Sequence, residues 1–123
     1  MLRDEAYLLD MRLAARDVLE FTRGVTFDQF SANKMMQYAV VRGVQIIGEA
    51  ARQVSDELAA SHPEVPWVPI RGMRHRLVHE YAAVDLEKVW RVVEVHIPEL
   101  LRLLDPLIPR EAPAKSEGKP DNP

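Results

Sequence analysis

The chain has 123 residues, enough for one hydrophobic core and too few for two ordinary domains of roughly 100 residues each. It is 47% hydrophobic and 28% charged with a formal net charge of -3, which excludes a disordered chain and a protein that coats nucleic acid over its whole surface. No cysteine occurs, so disulfides, a thiolate nucleophile and Cys-based metal sites are excluded as well.

Charges interleave with apolar residues from the third position, which is not the pattern of a secretory signal. No stretch reaches the roughly 18 uncharged apolar residues of a membrane span. The expectation is a cytoplasmic protein that does not engage a membrane.

Leu8, Met11, Ala15 and Val18 recur at spacings of three and four, predicting a first amphipathic helix from about Asp4 to Thr22, closed by Gly24. Val25 to Ala32 reads as a connector with Phe27 and Phe30 as apolar plugs. A long helix follows, capped by Asn33 or Ser31, with an apolar stripe of Met36, Val40, Gly43, Ile47, Ala50, Val54 and Leu58. Its small residues Gly43, Gly48, Ala50 and Ala51 let another backbone approach closely.

The prolines of His62 to Pro69 predict a rigid loop. Ile70, Met73 and Leu77 then give a third helix its apolar side, fraying near His79. Asp85 is the N-cap of a fourth helix with an inward face of Leu86, Val89, Val93, Ile97, Leu100 and Leu104, kinked at Pro98. The tryptophans at 67 and 90 read as core plugs, and the methionines at 35, 36 and 73 as gap-fillers. Five prolines in the last 18 residues predict a loose tail. The expectation is an all-α, antiparallel four- to five-helix up-and-down bundle over residues 1–107, with a flexible tail over 108–123.

Chemistry concentrates in Arg71-Gly72-Met73-Arg74-His75-Arg76-Leu77-Val78-His79-Glu80-Tyr81, which carries three arginines against one glutamate in an acidic chain. An imidazole takes and gives protons near neutrality, and a guanidinium forks onto phosphate oxygens. Together they fit cleavage of a single-stranded RNA phosphodiester by its own 2'-OH, which needs proton movement and charge stabilisation but no metal. In this reading His79 is the acid or base, Arg74 clamps the transition state, and Arg71, His75 and Arg76 face or hold the RNA.

Arg74 and His79 lie roughly 140 degrees apart on an unbroken helix. Either the helix opens around His79, or two protomers meet so that paired motifs line one cleft. The dimer is the favoured solution. His75 and His79 have the i, i+4 spacing of metal ligands, but Arg76 stands where the glutamate of a metalloprotease helix would be, so no metal is expected. Tyr81, read by itself, is an ordinary core aromatic with its hydroxyl at the surface. Glu49, among small apolar residues, is a candidate partner for a motif arginine.

Arg74, His79 and Tyr81 stand as R-x4-H-x-Y, and IIGEAARQVS, PWVPIRGMR and DLEKVW flank them in order. This pattern resembles the HepT-like proteins of the HEPN superfamily over about Asp4 to Leu107. The resemblance implies a helical HEPN dimer acting as a metal-independent ribonuclease toxin, paired in a type VII-like toxin-antitoxin system with a minimal nucleotidyltransferase of the MntA type. Arg74 and His79 match the family's catalytic pair. Tyr81 matches the tyrosine to which the antitoxin transfers AMP from ATP, so no bound cofactor is implied. His75 departs from the asparagine common at that position. The alternative reading is a non-catalytic HEPN subunit that serves only as acceptor or docking partner for a nucleotidyltransferase.

Overall fold

A computed structural model describes residues 2–79 and 85–109, with side chains described at 3–73 and 85–109. Every regular element among these residues is helical. The first helix, α1, spans Leu2–Phe21. Thr22 is buried behind it and donates its hydroxyl to the Val18 carbonyl at 2.8 Å, and Gly24 turns the chain away at φ +70, a conformation that suits glycine.

The expected connector contains a short helix, α2 (Phe27–Ser31), because Thr26 and Gln29 form a reciprocal capping box. Thr26 accepts from the Gln29 N–H at 3.1 Å, and the Gln29 side chain accepts from the Thr26 N–H at 2.9 Å. This turn drives Phe30 into the core with its ring 4.9 Å from that of Trp90. The Gln37 amide closes the turn from the next helix by donating to the Phe30 and Ser31 carbonyls.

Of the two candidate caps for the long helix, Asn33 is the one used, and α3 runs Lys34–Gln53. It ends earlier than the apolar stripe suggests. Val54 leaves helical geometry, Ser55 caps a separate helix α4 (Asp56–Ser61), and Leu58 belongs to α4. The break is held by Asp4, 51 residues away, whose carboxylate accepts from the Ser55 N–H at 2.9 Å and its hydroxyl at 2.7 Å. A buried carboxylate at this spot is satisfied by the orphan donors of a helix start. The hydrogen bonds from Ser55 hold the Asp4 carboxyl below its ordinary range.

The proline-rich loop is shorter than expected, since α5 begins at Trp67 and runs to His79. Pro69 sits in its first turn, where the missing N–H has no partner to lose. Asp85 caps α6 (Leu86–Arg91), as its position predicted. A π-helical turn over Val92–His96 then leads into α7 (Ile97–Leu104) and a 3-10 turn at Asp105–Leu107. Pro98 explains the π turn: it cannot donate to the Glu94 carbonyl, and just before it the Ile97 N–H reaches back to Val92.

Helix α1 packs along α3, and α3 and α1 pack in turn against α5 and α7. Asp4 meeting Ser55 while Val18 meets Gly43 shows that α1 and α3 run antiparallel. Gly43 is required by that crossing, because a Cβ there would lie 2.5 Å from Val18 Cγ2. The core takes Leu8, Met11, Val18, Val40, Ile47, Val93, Ile97, Leu100 and Leu104, as the apolar spacing predicted, and also Val44, which that spacing did not include. Two expectations need adjustment. Met35 is 81% exposed and fills no gap, whereas Met36 and Met73 pack on the core. Ile108 is buried, so packing reaches one residue past the expected domain end; residues 110–123, most of the expected tail, lie outside the described residues.

Candidate active site

The basic stretch rides on α5 as far as His79, and several contacts fix where that helix starts and how it is rotated. Val65 and Trp67 are buried, and the Trp67 indole N–H donates to the His62 carbonyl at 3.0 Å. Backbone bonds from Trp67 to Val65 and from Ile70 to Pro66 close the entry turn. Ile70 is buried and Met73 half-buried, so the apolar side of α5 faces the core.

Arg71 adds a polar tie. Its Nε donates to the Ala51 carbonyl at 2.8 Å and an Nη to the Val54 carbonyl at 3.3 Å, while the guanidinium lies 5.7 Å from the centre of the Trp67 ring. Those carbonyls belong to the last turn and cap of α3, at the negative end of its dipole, and the Ala51 carbonyl also accepts from the Val54 N–H at 3.4 Å. Arg71 was expected to hold RNA. Among the described residues it braces α5 against α3, because the α3–α4 break leaves carbonyls within its reach; no RNA contact of Arg71 is tested by this structure. The joint at Val54 and Ser55 is thus held by two other helices, by Asp4 of α1 and by Arg71 of α5.

Helix α5 continues through His79 rather than opening before it, which places positions 74, 75, 76 and 79 on one regular helix. Positions 74 and 79 are then roughly 140 degrees apart around its axis. The side chains of Arg74, His75, Arg76 and His79 lie outside the described residues, as does Tyr81 in its entirety. Glu49 stands on an exposed side of α3; its expected pairing with a motif arginine falls on side chains outside the description. Among the described residues, no three His, Cys, Asp or Glu side chains gather as a metal site would require.

Beside α5 runs an apolar groove of about 340 Å³, walled by Val44, Ile47, Ile70, Met73, Val89 and Leu100. Lys88, Arg91 and His96 stand on its rim together with Asp85 and Glu99. Asp85 is engaged with the first N–H groups of α6, and Glu99 with Arg102, whose hydrogen bond holds the Glu99 carboxyl below its ordinary range. Three groups of this neighbourhood were not singled out from sequence in these roles: Asp4, Arg71 as a brace, and the basic rim. For Lys88 and Arg91 the i, i+3 spacing on a helix was the available signal. Asp4 carried none, since its partner is 51 residues distant. No helix among the described residues is long and apolar enough to cross a membrane.

The sequence matches the family described as "Ribonuclease HepT-like" over residues 11–107. It is 39% identical over 94 residues to "Probable ribonuclease HepT" of Thermococcus cleftensis, covering 76% of this chain and 86% of that protein. It is 38% identical over 96 residues to "Putative RNase MJ1380" of Methanocaldococcus jannaschii, covering 78% and 88%. A further relative from the same organism, "Putative RNase MJ1216", is 32% identical over 118 residues, covering 96% of this chain and 93% of its own. No solved structure matches the chain significantly. With an all-helical bundle carrying positions 74 and 79 on α5 and a family match across nearly all of the described chain, this protein belongs to the HepT-like ribonuclease family.

Proposed function

We propose that the chain is a metal-independent endoribonuclease that works as a homodimer, with Arg74 and His79 contributed to a shared cleft by two protomers. The observation that carries the composite site is the regularity of α5 through His79. On such a helix positions 74 and 79 diverge by roughly 140 degrees, too wide for one copy to close both groups on one phosphodiester. A two-fold pairing of motif helices removes the difficulty, since Arg74 of one copy can meet His79 of the other. The family match and the ribonuclease names of the relatives support the reaction class.

The chemistry follows from those groups. The RNA 2'-oxygen attacks the adjacent phosphorus, the 5'-oxygen leaves, and the products are a 2',3'-cyclic phosphate and a 5'-hydroxyl. Imidazole removes the proton from the 2'-OH or delivers one to the departing oxygen. Guanidinium offsets the charge that grows on the phosphoryl oxygens. Arg76 and His75 line the strand. The protein acts as the toxin of a toxin-antitoxin pair, and a cognate minimal nucleotidyltransferase silences it by moving AMP from ATP onto the Tyr81 hydroxyl, releasing pyrophosphate. Added phosphates there repel the RNA backbone.

Purified protein incubated with single-stranded RNA in EDTA tests the reaction, with cyclic phosphate ends lost in Arg74→Ala and His79→Ala as the expected result. Mixing the two inactive variants tests the cleft. Random pairing makes about half the dimers mixed, each with one intact site, so about a quarter of the original activity returns. If neither variant recovers on mixing, the composite arrangement is wrong. An acceptor subunit without catalysis would show no turnover in any arm.

A further inference from the structure

We propose that Arg71 is a positioning residue: by clamping the Ala51 and Val54 carbonyls it sets the rotation of α5, and so the aim of the two motif positions, without itself touching RNA. This rests on the nuclease reading above. Three observations converge on it. The guanidinium bonds two carbonyls of the α3 terminus at 2.8 Å and 3.3 Å, so both its reach and its direction are fixed. It also lies 5.7 Å from the Trp67 ring centre, and Trp67 is buried and bonded to His62, so the brace is backed by a packed and tethered ring. The third is angular. Counting about 100 degrees per residue, position 74 lies about 60 degrees to one side of position 71, and position 79 about 80 degrees to the other.

Arg71 therefore stands near the bisector of the wedge that Arg74 and His79 define on α5. Turning the helix about its own axis swings one of those positions toward the α3 end and the other away from it. With side-chain tips about 6 Å from the axis, a twist of about 10 degrees moves each by about 1 Å. A misplacement of that size costs on the order of a hundredfold in rate when reacting groups must align. The apolar side of α5 cannot hold the angle as tightly, because Ile70 and Met73 make non-directional contacts and Met73 is flexible. The bonds from Arg71 are directional, and they occur at the only turn of α5 that faces the carbonyls of the α3–α4 joint among the described contacts.

The test compares the full-length protein with Arg71→Met and Arg71→Lys on single-stranded RNA over a range of salt. Positioning predicts that kcat falls tenfold to a hundredfold while KM changes less than about twofold. It also predicts that the salt slope of RNA affinity is unchanged, since no phosphate contact is lost. Loss of a phosphate contact instead reduces that slope by about 0.7 for a single strand, with weaker affinity and little change in kcat. That pattern overturns the proposal. Lysine keeps the charge but cannot fork across two carbonyls, so Arg71→Lys reproduces most of the kcat loss, and it carries the test if Arg71→Met is too unstable to purify. A core variant, Phe30→Leu, lowers the melting temperature without the kcat loss and separates aim from general loosening. If the unmodified protein cleaves no RNA, the nuclease reading fails by itself. The positioning claim is then read from the His79 imidazole by NMR titration, where Arg71→Met shifts the resonance and an identical curve refutes it.

Discussion

Replacing Gly43 by alanine places a methyl group where α1 and α3 touch, and the outcome depends on two opposed terms of known size. An alanine Cβ would lie 2.5 Å from Val18 Cγ2, about 1 Å inside ordinary contact. Val18 is fully buried, and as a β-branched residue in a helix it has one strongly preferred χ1, so its methyl cannot swing clear. Either Val18 leaves its rotamer or the helices part, and overpacking of this kind costs about 1–3 kcal/mol. Against it stands the helix preference of alanine over glycine, about 1 kcal/mol. The expected net is a loss of about 1 kcal/mol, or a melting temperature lower by about 4–8 °C at fixed protein concentration. Val18→Ala alone costs about 2 kcal/mol, but it opens the space, so Gly43→Ala becomes stabilising by about 1 kcal/mol in that background. Urea unfolding of the four proteins closes the cycle, with an expected coupling near 2 kcal/mol. Should Gly43→Ala stabilise the original protein as much as it does the Val18→Ala variant, the close crossing does not exist as described.

Trp90 packs against Phe27 and Phe30, and Trp90→Ala should cost about 3–5 kcal/mol in urea unfolding, with loss below 1 kcal/mol contradicting its place in the core. Asp4→Asn should destabilise by about 1–2 kcal/mol at pH 7. Because the folded-state pKa of Asp4 is depressed, its contribution is complete above the ordinary value of 3.8 and disappears as pH falls through the lower folded value. The gap between the original protein and Asp4→Asn should therefore narrow only below about pH 4; a gap that narrows between pH 5 and 7 would point to a different group. If the chain is silenced as proposed, co-expression with a minimal nucleotidyltransferase encoded beside it should add AMP masses to the protein, and Tyr81→Phe should abolish them while leaving RNA cleavage unrestrained. Persistence of the added mass in that variant places the modification elsewhere.

The helical class and the core faces were readable because amphipathic spacing is a local property of the chain. The stripe from Leu86 to Leu104 and the caps at Asn33 and Asp85 needed only neighbouring residues to be inferred. Periodicity failed where it is blind to interruption. Val54 and Leu58 continue the stripe of the long helix, yet Ser55 breaks it, since Asp4 offers that serine a better partner from another helix. Met35 adjoins Met36 in the sequence and still ends on an exposed side of α3, while Met36 packs on the core. The family was legible from R-x4-H-x-Y and its flanking segments, which the match over residues 11–107 bears out.

Sequence alone determined that the chain makes an all-helical bundle, where α3 and α6 are capped, and which eleven residues concentrate its basic and titratable groups. Folding decided what those groups do for one another. Arg71 reads in one dimension as one more cation of a basic run, and in three as the brace between α5 and the end of α3. The physical reason is that a hydrogen bond is made by whatever lies within about 3 Å, and partners 17, 20 and 51 residues apart come within that distance only once the helices have packed.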